Sequence, residues 1–277
     1  MVLVLISLIV GLTVIIFWPT FDWLLYRFAE PESFYAHGYL IPFISAYLIW
    51  QKKAAWVKLK SQPSYWGLGI LIFSLIIHVF SYYFEINLLS GFSLLGVIVG
   101  LILFNLGVEA LKINVFALFF LIFMIPLPKV MTLGLSFYLK MFAAQTASFC
   151  VGVIVPLKNV GSFIYLPNGV LTVGTPCSGL SSLISLAALA MLFSHLTAFS
   201  KFKKAIFFIL ALPLALISNI LRIMLLIIVC YVYGVDVAMG WFHDFSGMLV
   251  FVFAFLGLLI LRNIFLLWKI QEKVKIL

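Results

Sequence analysis

Leu171-Thr-Val-Gly-Thr-Pro-Cys-Ser-Gly-Leu-Ser-Ser-Leu183 changes character in its middle. A β-prone run stops at Gly174 and a helix signal begins at once. Thr175 suits an N-cap and Pro176 the first helical position, where its missing N–H costs nothing. This reading places Cys177 in the first turn of a helix, beside unpaired backbone N–H groups and the positive end of the helix dipole. Such a site raises a thiol's thiolate fraction. A small apolar cysteine packed at a helix end is the other reading. The helix is expected to continue through Ser181 and Ser185 at four-residue steps, which puts both on the thiol's face. Serines on such a face also serve close helix packing.

Working outward, the residues before this stretch predict a turn. Ser162-Phe-Ile-Tyr-Leu166 and Val170-Leu-Thr-Val-Gly174 flank Pro167-Asn168-Gly169, a hairpin signal. A hairpin must lie at a membrane surface or in a cavity, because lipid offers its backbone no partners. Before it, 130–150 reads as a helix with Lys140 and Gln145 among small and apolar residues, lying in the interface or re-entering. Pro126-Leu-Pro128 opens this segment, and 126–176 is the longest stretch between apolar runs.

The chain around it is a membrane protein by composition. Hydrophobic residues make up 66% and charged ones 9%, with a mean hydropathy of +1.29. Soluble domains are nearer half apolar and a quarter charged. Apolar runs predict about eight transmembrane helices near 2–18, 36–50, 66–84, 88–107, 111–125, 177–197, 204–233 and 246–267. The expected fold is therefore all-α and polytopic, one integral domain over 1–277. Its long outer-side insertion carries an interfacial helix and a short β-hairpin before the Cys177 helix. The N-terminus lacks the positive region of a signal peptide and reads as a retained first span. Lys52, Lys53, Lys58 and Lys60, then Lys201, Lys203 and Lys204, then Lys269, Lys273 and Lys275 mark cytoplasmic segments, which puts both termini inside. Asp22, Glu30, Glu32, Glu85, Asp236 and Asp244 fall on the other side. The net charge of +9 is spent on topology, so no nucleic-acid partner is assigned.

Two further stretches carry chemistry. In Ser218-Asn219-Ile-Leu-Arg222, Asn219 and Arg222 share a helical face. An arginine inside an apolar span costs a few kcal/mol and calls for a partner or a wet cavity. Arg222 stands eleven residues before Tyr233, about 16 Å along a helix, which is far to snorkel. In Trp241-Phe-His243-Asp244-Phe-Ser-Gly247, His243 lies at the outer entrance of the last span. Cys177, Arg222 and His243 thus fall on one side of the membrane and supply a nucleophile, a fixed cation and a base. Asp244 or Asp236 is placed to orient the imidazole, and His37 to line the site. His78 and His195 are isolated, and Cys150 and Cys230 read as packing. The three cysteines make no CxxC pair, and no phosphate loop, HExxH or nucleotide fingerprint occurs, so no metal or cofactor is assigned.

Pro176-Cys-Ser-Gly-Leu-Ser-Ser-Leu183, Ser218-Asn-Ile-Leu-Arg222 and His243-Asp-Phe-Ser-Gly247 resemble the signature motifs of the exosortase/archaeosortase family. Ala36-His-Gly-Tyr-Leu-Ile-Pro-Phe-Ile-Ser-Ala-Tyr-Leu-Ile-Trp50 and Phe123-Met-Ile-Pro-Leu-Pro128 are similar to two further family stretches, in the same order. The resemblance implies a multi-pass cysteine transpeptidase, or peptidase, in the cell membrane with its active site on the outer side. Its partners would be proteins ending in a short motif, a transmembrane helix and a basic tail; the prototype bacterial motif is Pro-Glu-Pro. The new C-terminus would pass to an acceptor, with membrane lipids among the candidates. By motif, Cys177 is the nucleophile, Arg222 the oxyanion- or substrate-binding cation and His243 the acid/base. Ser178, Gly179, Ser181, Asn219, His37 and Asp244 are supporting residues. Some archaeal members carry arginine where His243 stands. The other reading is a transporter or export scaffold with Arg222 as counter-ion. It would favour paired inverted halves, and the first half holds no second Asn-x-x-Arg span. No oligomeric state is assigned.

Overall fold

The structure, a computed structural model, describes residues 2–30, 34–59, 62–197 and 199–274. Glu32, Lys60 and Lys275, counted above among the flanking charges, lie outside them. The chain divides into two compact units, Met1–Pro128 and Lys129–Leu277.

The first unit contains α1 (Val2–Ile16), α2 (Trp18–Ala29), α3 (Leu40–Gln51), the short α4 (Lys53–Val57), α5 (Tyr65–Tyr83), α6 (Asn87–Leu106) and α7 (Val108–Phe120). α5 and α6 lie close because small residues face each other. A Cβ on Gly67 would sit 2.3 Å from the Phe104 nitrogen, and one on Gly100 would sit 2.9 Å from that of Leu71.

The second unit contains α8 (Lys129–Val151), strands β1 (Lys158–Val160), β2 (Phe163–Leu166) and β3 (Gly169–Thr172), then α9 (Leu180–Leu196), α10 (Lys201–Tyr233), α11 (Val235–Met239) and α12 (Trp241–Val274). The strands form an antiparallel meander in chain order. Two strands were expected; β1 adds a third, through Asn159 opposite Ile164. In the β2–β3 pair Ile164 faces Leu171, and both are buried. They join Ala144, Ala147 and Val151 of α8 and Ile223, Ile227 and Cys230 of α10 in one core. The Asn168 amide at the hairpin turn donates to the Tyr231 carbonyl near the end of α10. The sheet is thereby fixed to the helix that carries Arg222.

α9, α10 and α12 share a second core around Leu186, Phe207, Ala211, Ala254 and Leu258. Ser200 caps α10 by accepting from the Lys203 N–H at 3.4 Å. Gly234, at φ 88°, ends it. The chain then turns through α11 and enters α12, which runs back along α10.

Among the described residues, four helices are long and apolar enough to cross a membrane: Trp66–Tyr83, Asn87–Leu106, Lys201–Tyr233 and Trp241–Leu267. The number reaches six if two bent helix pairs each count as one span. The protein is mostly helical and polytopic, but the eight expected spans are not all found at spanning length. The first breaks at Phe17, where α2 departs at 69°. The second is the 12-residue α3, entered through a tight turn, Ala36–Tyr39. The fifth ends as a helix at Phe120 and continues as another tight turn, Leu121–Met124. Hydropathy registers apolar content and is blind to such breaks.

Candidate functional site

The turn before α9 differs from its sequence reading. Thr175–Ser178 forms one 3-10 turn, and Gly179 follows in the left-handed region at φ 81°. The helix starts only at Leu180. Cys177 therefore precedes the helix, and Ser181 does not share its face; Ser181 is exposed, and among the described residues no hydrogen bond joins it to the thiol. Thr175 does not cap with its side chain either, since Gly174 occupies the capping position. The break has a packing cause. A Cβ on residue 179 would lie 2.7 Å from Cγ of Asn219, whose amide Nδ2 donates to the Cys177 carbonyl at 2.9 Å. Gly179 admits Asn219, and Asn219 holds the turn.

The third segment also differs. His243 was expected just before the last span, near 246–267, yet α12 begins at Trp241. His243, Ser246 and Gly247 thus occupy i, i+3 and i+4 and share a helical face.

Three elements now meet. The Cys177 Sγ lies 3.0 Å from His243 Nε2. His243 Nδ1 lies 3.1 Å from Asp244 Oδ1. A carboxylate only accepts, so it takes the Nδ1–H and leaves the Nε2 lone pair of neutral imidazole facing the thiol. Arg222, buried in α10, ties the other two segments together. Its Nη2 donates to the His243 carbonyl at 3.0 Å and lies 3.3 Å from Nε2. Its Nη1 donates to the Pro176 carbonyl at 3.5 Å, and its Nε to Ser246 Oγ at 3.1 Å. The Ser246 hydroxyl in turn donates to the His243 carbonyl at 2.8 Å.

Cys177 is only 2% exposed, and burial alone pushes its thiol pKa up. The His243 hydrogen bond, the positive charge of Arg222, the charge His243 carries once it holds the thiol's proton, and the contact with Gly174 act the other way and leave it below the ordinary thiol value. The thiolate is thus favoured by a neighbouring base and cation, with no need of a helix dipole.

Of the predicted residues, Cys177, Arg222, His243, Asn219 and Asp244 come together, and Ser178 is buried beside them, its Oγ accepting from the Leu180 N–H at 3.4 Å. Asp244, rather than Asp236, meets the imidazole. His37 belongs to the first unit, where its ring stacks on Tyr35. Cys230 is core packing, but Cys150 is exposed rather than packed. The reading missed Ser246, Gly247 and the Pro176 carbonyl. A helix assignment for 241–247 would have exposed the first two.

A buried thiol against Nε2 of an oriented imidazole, beside a fixed guanidinium, is equipped for nucleophilic attack on a carbonyl. The profile of the transmembrane exosortase family matches residues 29–260 of the chain. No curated protein and no solved structure matches it.

Proposed function

The chain belongs to the transmembrane exosortase family, and on that premise we propose that it is a cysteine transpeptidase cleaving the C-terminal sorting signal of exported proteins. The observation that carries this reading is the 3.0 Å contact between Cys177 Sγ and His243 Nε2. In the proposed reaction His243 takes the thiol proton, and the Cys177 thiolate attacks the scissile carbonyl carbon. The carbonyl electrons move onto oxygen, where Arg222 balances the charge. As the C–N bond breaks, His243 returns the proton to the departing amine, which leaves with the substrate's transmembrane helix and basic tail. The thioester is then resolved by an acceptor hydroxyl or amine. His243 removes that nucleophile's proton, and the thiol is restored.

One integral domain, an active site at the outer surface and cytoplasmic termini complete the proposal. A transporter would use Arg222 as a counter-ion, but its guanidinium already engages the carbonyls of Pro176 and His243 and the Ser246 hydroxyl.

The test is co-expression with a protein bearing a C-terminal sorting signal. The parent should yield a shortened product, and Cys177→Ala should yield none while still inserting in the membrane. Processing retained by Cys177→Ala would overturn the mechanism. Mass spectrometry of the product's new C-terminus separates transfer, which adds the acceptor's mass, from hydrolysis, which leaves a free carboxylate.

A further inference from the structure

The guanidinium of Arg222 touches both reacting segments, but something has to hold the guanidinium. Ser246 is 1% exposed and lies one helical turn beyond His243 on α12. Its oxygen accepts the Arg222 Nε–H at 3.1 Å, and its proton goes to the His243 carbonyl at 2.8 Å. That carbonyl also receives Arg222 Nη2 at 3.0 Å. The three groups close a ring of hydrogen bonds. Back-bonding to the i−3 carbonyl fixes the hydroxyl rotor, so the oxygen's lone pairs are turned toward Nε. Next to Ser246, a Cβ on Gly247 would lie 3.2 Å from Nη2. The glycine leaves the space and the serine fills the donor.

We infer that Ser246 is a positioning residue, which sets the guanidinium and the His243 backbone so that Nε2 meets the Cys177 thiol. The inference rests on the reading of Cys177 and His243 as nucleophile and base. Removing the hydroxyl leaves a buried Nε–H without its acceptor and takes one donor from the His243 carbonyl. The arginine then turns toward other partners and the imidazole loses its register. A misplacement of about 1 Å costs on the order of a hundredfold in rate.

The experiment compares the parent with Ser246→Ala and Ser246→Thr in detergent. It reads processing of a sorting-signal substrate and the pH dependence of Cys177 alkylation by a small thiol reagent, resolved by peptide mass spectrometry from Cys150 and Cys230. Ser246→Ala should process about a hundredfold more slowly, and its alkylation midpoint should rise. Ser246→Thr, which keeps the hydroxyl, should return the midpoint toward the parent's. A folded Ser246→Ala variant with the parent's midpoint overturns the inference, whether or not processing slows. If the alanine variant does not elute as the parent does, Ser246→Cys, of similar volume but weak in hydrogen bonding, carries the same comparison. An ordinary thiol midpoint in the parent would overturn the nucleophile reading itself, a failure separate from that of Ser246.

Discussion

Each unit of the chain holds a histidine in a hydrogen-bonded network, and the two rings are used differently. In the first unit His78 is buried, with the Phe17 ring tilted against it at a centroid distance of 4.0 Å. Its Nε2 donates to the Ile16 carbonyl at 3.0 Å, and its Nδ1 meets Ser90 Oγ at 2.9 Å. Ser90 in turn bonds Thr20. Ile16 is the last residue of α1, where the helix breaks and its terminal carbonyls lose their intrahelical partners. His78 satisfies one of them. Both ring nitrogens are spent on the fold. In the second unit His243 spends Nδ1 on Asp244 and turns Nε2 to a thiol. What separates a structural histidine from a candidate catalytic one is the second nitrogen's partner.

The sharpest way to break this contrast is to remove each ring. His243→Ala should cut processing by about a hundredfold to ten-thousandfold, the usual worth of a positioned acid/base, and leave the thermal midpoint in detergent near the parent's. His78→Ala should do the reverse. It leaves the Ile16 carbonyl without its donor and should cost about 1–3 kcal/mol of stability. Its folded fraction should process at the parent's rate. If the two variants lose activity and stability in the same proportion, the distinction collapses.

Gly179 tests the geometry of the second network. An alanine there must adopt φ 81° against a preference of about 1–2 kcal/mol, and its methyl would meet Asn219. Gly179→Ala should lower the thermal midpoint and slow processing together, since the Cys177 carbonyl would lose its Asn219 donor. Full activity in this variant would separate the turn from the chemistry.

The sequence made the chemistry more legible than the architecture. Cys177, Asn219 and Arg222 stand out because a helical chain hides few polar residues, and a buried one needs a reason. The hairpin lead-in was readable from Asn168-Gly169, whose turn chemistry is local. The break at Gly179 was not, because it answers to Asn219, forty residues downstream. Ser246 was hidden because the last span was read as starting near 246, which left His243 outside the helix and removed the i, i+3 relation between them. The bend at Phe17 and the short α3 were invisible to hydropathy, which sums apolar content along the chain without regard to tertiary pinning such as that by His78.

The pH dependence of the thiol sharpens the comparison without any substrate. Burial pushes the Cys177 pKa up, while the His243 hydrogen bond and the Arg222 charge bring it below the ordinary value. The thiolate therefore persists to lower pH than a free thiol's. Alkylation at Cys177 should rise with pH through a midpoint below the free-thiol range. In His243→Ala the largest lowering influence is gone and burial remains, so the midpoint should move up. A midpoint unmoved by that substitution would show that the imidazole does not govern the thiol.

The smallest effect is expected at Asp244. Its carboxylate orients His243 through Nδ1, as a buried aspartate does in a hydrolase triad, where its loss is severe. Here the Asp244 side chain is 88% exposed. Water screens its charge and can take the Nδ1–H in its place. An asparagine would still offer a carbonyl oxygen to that proton. Asp244→Asn should therefore slow processing by no more than about tenfold, far less than His243→Ala, because a solvent-shared hydrogen bond is worth about 1 kcal/mol. Most of the imidazole's orientation would then come from the helix itself, through the His243 carbonyl that Arg222 and Ser246 hold. A loss as large as that of His243→Ala would mean that the carboxylate is sequestered during catalysis, with substrate binding excluding the water that screens it.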